Sequence, residues 1–141
     1  MLIDFHTHAF PERIAARAIG KLSHDAGGLA PQTDGTLSSL KEQMLTDGVD
    51  ISVVHSIATS PKQQHNVNNF AMEIDKDDGI VAFGSVHPDA PDALEELERI
   101  HAAGFPQCPR STWISKGGGM KQPLWRKEWS WTLNFQEKTL C

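Results

Sequence analysis

Ile3-Asp4-Phe5-His6-Thr7-His8, near the start of the 141-residue chain, reads as a short β-strand that ends in a His-x-His pair. Because side chains of a strand point alternately to opposite faces, His6 and His8 fall on one side of it. Ile3 and Phe5 fall on the other side, where they are expected to pack inward. Two solvated loop histidines are the simpler interpretation, but imidazoles on one strand face suit zinc and similar divalent ions. We therefore predict a divalent metal site, with zinc favoured, at His6 and His8.

Downstream of this strand, apolar strands alternate with helices whose apolar residues recur at helical spacing. The predicted helices begin near Pro11, Leu37 and Pro61 and over residues 89–92, and the later strands run over residues 51–57 and 80–86. Gly48 and Gly79 stand where helices should stop before the next strand. The last helix is expected to pack through Leu94, Leu97 and Ile100. This alternation predicts βαβ units and a parallel sheet covered by helices on both faces.

Size and composition are those of one globular domain. The net charge of −5 and the lack of a basic stripe argue against a nucleic-acid partner. No apolar run reaches the length of a membrane span, and the chain begins with a strand instead of a secretory leader, so we expect no membrane association and a cytoplasmic location. Cys108 and Cys141 lack CxxC spacing and predict neither a redox pair nor a zinc knuckle.

The sequence changes character after residue 105. Residues 106–141 contain all four tryptophans and have a net charge of +4, whereas residues 1–105 have a net charge of −9. A fourth strand is expected after Gly104, but Pro106 and Pro109 stand there, and proline removes a donor that a central strand needs. One interpretation is a basic, tryptophan-rich arm for a membrane or single-stranded nucleic acid. The sequence favours another, in which residues 106–141 do not continue this domain and form an atypical tail that is frameshifted, from a misassigned gene end, or disordered.

Three segments carry a family resemblance. They are Ile3-Asp4-Phe5-His6-Thr7-His8-Ala9-Phe10-Pro11, Gly48-Val49-Asp50-Ile51-Ser52-Val53-Val54 and Phe83-Gly84-Ser85-Val86-His87-Pro88-Asp89. They resemble the first, second and third strands of the amidohydrolase superfamily, in particular of the family 2 branch that includes aminocarboxymuconate semialdehyde decarboxylase and related metal-dependent hydrolases. The resemblance covers residues 1–105 and implies three β/α units of a (β/α)8 TIM barrel, a fold that typically needs about 250 residues. Residues 1–105 would then form an incomplete barrel domain, with residues 106–141 as a tail outside it.

The resemblance also implies that His6 and His8 are the metal ligands of strand one. In the family, a histidine from strand five and an aspartate from strand eight complete the site, and neither has a counterpart in this sequence. The implied activity is hydrolysis of a C–N or C–O bond, or non-oxidative decarboxylation, of a small carboxylated substrate. The ion would lower the pKa of bound water toward ~7. The motif does not separate the two reactions, and it leaves the substrate and the oligomeric state open.

Other histidines are less informative. His87 precedes a proline at the end of the third predicted strand, where it can contact substrate or cap the following helix. His55 shares a strand face with apolar residues and is expected to be a hydrogen-bonded core residue. His24, His65 and His101 occupy polar loop and helix positions, and we assign them no role.

Two further hypotheses belong to other functional classes. A truncated copy of the family that lacks the later ligands can be a catalytically inactive fragment. A phosphoesterase of the polymerase-and-histidinol-phosphatase type also begins with His-x-His, but such enzymes usually continue toward Ser-Asp-Gly, and Phe10-Pro11-Glu12 follows here. The sequence favours amidohydrolase-type chemistry in a truncated copy, with the inactive fragment as the alternative.

Overall fold

A computed structural model describes residues 1–104 and, after them, the backbone of residues 133–134 and 139–140. The order of elements is β1 (Ile3–Thr7), α1 (Glu12–Asp25), α2 (Leu37–Asp47), β2 (Ile51–His55), a 3-10 turn (Pro61–Gln63), α3 (Gln64–Ile74), β3 (Ile80–Phe83), α4 (Ala93–Ala102), β4 (Leu133–Asn134) and β5 (Thr139–Leu140). Strands β1, β2 and β3 form a parallel sheet in that order, and β4 lies antiparallel to β5. The predicted α/β class with a parallel sheet is confirmed.

The chain divides into two compact units. The first comprises residues 1–55 and 73–82, and the second comprises residues 56–72 and those that follow residue 82. In the first unit, the Thr36 hydroxyl accepts the Ser39 N–H at 3.1 Å and caps α2, which ends at Gly48 in the left-handed conformation. The buried apolar side chains of this unit include Ala15, Leu40, Met44, Val53, Val54, Ile74 and Ile80.

Strand β1 departs from regular pairing near its end. Asp4 pairs with Ser52. Thr7, three residues further along β1, pairs with Val54, only two residues further along β2. The expectation that Phe5 packs inward is wrong, because its side chain is 56% exposed. The irregular register disrupts the alternation of β1, and β1 is an edge of the described sheet, with a neighbour on one side only.

In the second unit, the inward face of α4 differs from the predicted one. Val86, Ala90 and Ala93 form a buried apolar cluster, with Leu97 packed against it. Ile100 is buried as predicted, but Leu94 is 57% exposed, so that part of the prediction is wrong. Ala93, Leu97 and Ile100 follow i, i+4, i+7 spacing and share one face, which leaves Leu94 outside the stripe.

Strands β2 and β3 both end earlier than the sequence predicts. They stop at His55 and Phe83, not near residues 57 and 86. The predicted break after residue 105, the tail 106–141 and both cysteines lie outside the described residues, apart from the backbone of β4 and β5. Within the described part of the chain, the structure contains no helix with the length and apolarity that a membrane span requires.

Candidate metal-binding site

The two histidines of the His-x-His pair lie together at the end of β1. His6 is exposed and is the penultimate residue of the strand, and His8 is partly buried just beyond it. Their ring centroids are 5.1 Å apart, and the ring planes are nearly perpendicular, at 84°. The side chains predicted to share a metal ion are therefore neighbours, while metal binding itself stays a prediction.

The ring of His8 has a defined orientation. Its Nδ1 lies 2.9 Å from the carbonyl oxygen of His55. Because a carbonyl oxygen can only accept a hydrogen bond, this geometry assigns the proton to Nδ1 and leaves the lone pair on Nε2. Histidines that bind metals commonly donate their second ring N–H in this way, which fixes the tautomer and the ring orientation.

Burial keeps His8 in the form that a metal requires. Desolvation lowers the pKa of His8 below its ordinary value, the hydrogen bond to His55 opposes this, and the nearby rings of His6 and His55 lower it further. A lower pKa favours the neutral imidazole at neutral pH. Only the neutral imidazole can donate a lone pair to a metal ion.

His55 is the third histidine of this cluster. Its Nε2 donates to the carbonyl oxygen of Phe5 at 2.9 Å. Its ring stacks on that of His6, with centroids 4.8 Å apart and planes at 19°. The predicted hydrogen bond of His55 is present, but the side chain is only partly buried and contacts the candidate ligands, which the strand pattern did not predict.

The donor set suits part of a zinc site. His6 and His8 supply two nitrogen ligands, while Asp4 turns back onto its own strand, where its carboxylate accepts the N–H of His6 at 3.0 Å. Over the described residues, no group of three or more His, Cys, Asp or Glu side chains is arranged to hold a metal ion. The imidazole pair fits the chemistry of zinc and would need further ligands to complete a four-coordinate site.

His87, the predicted substrate contact, lies in the second unit. Its backbone N–H donates to Oε1 of Gln64 at 3.2 Å, and its Nδ1 accepts the N–H of Asp89 at 3.1 Å. These bonds hold the turn that leads toward α4. Substrate contact by His87 stays a prediction.

Sequence analysis missed a cluster of polar side chains between α3 and α4, which we call the polar layer. Its members are Gln64, His65, Asn68, Asp92, Glu96 and Arg99. Glu96, whose side chain is fully buried, accepts hydrogen bonds from Asn68 at 2.7 Å and from two nitrogens of Arg99 at 2.8 Å. One helical turn before the Asn68–Glu96 bond, the side-chain amide of Gln64 donates to the carboxylate of Asp92 at 2.9 Å. The signal in the sequence was two matching i, i+4 pairs, the amides Gln64 and Asn68 on α3 and the carboxylates Asp92, the N-cap of α4, and Glu96 on α4.

His65 joins the two carboxylates of the polar layer. Its Nε2 lies 2.8 Å from Asp92 and its Nδ1 lies 2.7 Å from Glu96, and since carboxylates only accept, both nitrogens carry protons. The bond to Asp92, followed by the charge of Glu96, raises the pKa of His65. Burial alone would raise the pKa of Glu96, but Arg99 and Asn68 lower it below its ordinary value. The layer satisfies its own charges, which indicates a structural network.

Of the two polar clusters, the one formed by His6, His8 and His55 has the chemistry to bind a ligand. Nε2 of His8 has a lone pair, and the exposed His6 lies beside it. A comparison of the chain with protein-family models, with curated proteins and with solved structures finds no match.

Proposed function

We propose that this chain carries part of the metal site of an amidohydrolase-type enzyme, in which His6 and His8 bind a divalent ion, with zinc favoured. The observation that carries the proposal is the orientation of His8, whose Nδ1–H donates to the His55 carbonyl at 2.9 Å and leaves Nε2 for the metal. His6 lies next to it, with ring centroids 5.1 Å apart. The sequence resemblance over residues 1–105 supports the same assignment.

In this proposal the reaction is hydrolysis of a C–N or C–O bond, or decarboxylation, of a small carboxylated substrate. A divalent ion held by His6 and His8 would polarise a substrate oxygen and lower the pKa of a water molecule. The protein would hold His8 neutral and oriented and present His6 beside it. Two protein ligands are half of a usual four-coordinate set, so a complete site would need further ligands.

A zinc titration of the full chain, followed by long-range ¹H–¹⁵N NMR of the histidine rings, tests the metal assignment. We expect Zn²⁺ to shift the ring signals of His6 and His8, with weak affinity because two ligands are half of a usual four-coordinate set. The double variant His6→Ala/His8→Ala should lose these shifts, whereas His24→Ala, which removes an exposed histidine of α1, should keep them. Tight one-to-one binding in the double variant would overturn the assignment and point to ligands such as Cys108 and Cys141.

An activity assay distinguishes the hypothesis of an active enzyme from that of an inactive fragment. Zinc-loaded chain is incubated with a small lactone, an N-acyl amino acid and an unsaturated carboxylic acid, and product is measured with and without chelator. Chelator-sensitive turnover that is lost in His6→Ala supports the enzyme. Zinc bound at His6 and His8 without any turnover supports a fragment that keeps the metal ligands but has no activity.

A further inference from the structure

His55 contacts both candidate ligands through different groups. Its carbonyl oxygen accepts the Nδ1–H of His8 at 2.9 Å. Its ring stacks on that of His6 at a centroid distance of 4.8 Å. Its Nε2–H donates at 2.9 Å to the carbonyl of Phe5, the residue before His6. One residue of β2 thus contacts the backbone before His6, the ring of His6 and the ring of His8.

These contacts lie where the pairing of β1 with β2 is irregular. The register shifts between Asp4 and Thr7, which interrupts the regular ladder of backbone hydrogen bonds. Side chains join the strands there, since the Thr7 hydroxyl donates to the carbonyl of Val53 at 3.0 Å, in addition to the bonds of His8 and His55. The position of the end of β1, and of the ligand pair on it, therefore depends on these side chains.

We propose that His55 is a positioning residue for the metal site, an inference that rests on the proposed function. Its ring restricts the orientation of the His6 ring, and its N–H anchors the β1 backbone beside that ligand. His6 is otherwise exposed on an edge strand, where its side chain would sample several rotamers. Holding it in one orientation before the metal arrives lowers the entropy cost of binding.

Two substitutions separate the side-chain contacts of His55. His55→Phe keeps an aromatic ring against His6 and removes the donor to Phe5, whereas His55→Gln keeps a donor and removes the stack. Both retain the backbone carbonyl that orients His8. We expect each to weaken Zn²⁺ binding by about tenfold or more, the usual effect of losing a group that orients a metal ligand, while the Nδ1 proton of His8 persists. His24→Gln is the matched control and should bind as the wild type does.

The experiment uses the full chain and two NMR readouts. Ring signals give the zinc affinity, and nuclear Overhauser contacts between the rings of His6 and His55 report their stacking in the metal-free protein. Wild-type zinc affinity in both variants, or missing ring contacts in the metal-free wild type, overturns the inference. If the wild type binds no zinc at His6 and His8, the proposed function fails, and the metal-free ring contacts alone decide whether His55 positions His6. Amide signals of α2 show that the variants remain folded; if both unfold, the wild-type ring contacts decide.

Discussion

Gly79 connects α3 to β3 at a point where a side chain does not fit. Its φ is +77°, and a Cβ atom placed there would lie 2.9 Å from the carbonyl oxygen of Asp50 and 3.3 Å from Cε of Met44. Its own carbonyl accepts the N–H of Ser52 at 2.8 Å, which holds this backbone close to β2. Gly48 has a similar φ of +69°, but a Cβ there would meet nothing within 4 Å. A substitution at Gly48 would therefore introduce backbone strain alone, whereas one at Gly79 would introduce both strain and steric overlap.

We predict that Gly79→Ala lowers the free energy of unfolding by about 3 kcal/mol, from left-handed strain plus overlap with fixed backbone atoms. Gly48→Ala should lower it by only about 1 kcal/mol, because the strain remains and the overlap does not. Urea denaturation followed by circular dichroism measures both values. Equal losses would mean that the backbone at Asp50 moves away from the new Cβ atom, so that the short distance to the Asp50 carbonyl oxygen does not lower the stability of Gly79→Ala.

Hydrogen bonds of the polar layer join α3 to α4. Asn68 has no exposed surface, donates to Glu96 at 2.7 Å and accepts the N–H of Ser85 at 2.7 Å. The neighbouring Asn69 is exposed. Removing a buried amide leaves both of its partners without that bond, which costs more than the bond contributes.

We expect Asn68→Ala to lower the free energy of unfolding by about 2–4 kcal/mol, because Ser85 N–H loses its acceptor and the buried Glu96 loses one of its donors. Asn69→Ala, the same substitution on the exposed side of α3, should change it by less than about 0.5 kcal/mol. Thermal and urea unfolding measure both. A small effect of Asn68→Ala would indicate that water replaces the amide and that the layer is not closed to solvent.

The polar layer also predicts a pH dependence. The pKa of His65 is raised above 6.5, so its contribution to stability is full below pH 6.5 and is lost as pH rises through the folded-state pKa. The pKa of Glu96 is lowered below 4.5, so its contribution is present above pH 4.5 and is lost as pH falls through the folded-state pKa. The stability lost in His65→Gln relative to wild type should therefore be largest between pH 4.5 and 6.5 and should shrink as the pH rises above 6.5 through the folded-state pKa of His65. A loss that does not vary with pH would show that His65 is not charged in the folded protein.

For the molecule as a whole, the sequence predicted features that depend on neighbouring residues better than features that depend on tertiary contacts. Glycines, caps and apolar stripes predicted the α/β class and the order of strands and helices, because these signals act within a few residues. The alternation in β1 predicted that His6 and His8 are neighbours. It could not predict the stacking of His55 or the exposure of Phe5, since both depend on how β1 pairs with β2. The buried Glu96 was missed because a polar residue on a helix normally marks the solvated face, and two of its partners, Asn68 and His65, lie on another helix.

Because β1 is an edge strand of the described sheet, we expect copies of this chain to associate with one another. Phe5 on β1 is 56% exposed, and Met1 and Leu2, which precede β1, are exposed as well. An edge strand with apolar side chains can pair with a strand of another molecule. We predict concentration-dependent association in sedimentation velocity, and that Phe5→Lys reduces it because a charged side chain on an edge strand opposes such pairing. Leu94→Lys is the control, since Leu94 is equally exposed, at 57%, but lies on α4. If both variants reduce association equally, the driving force is general surface hydrophobicity and not the β1 edge.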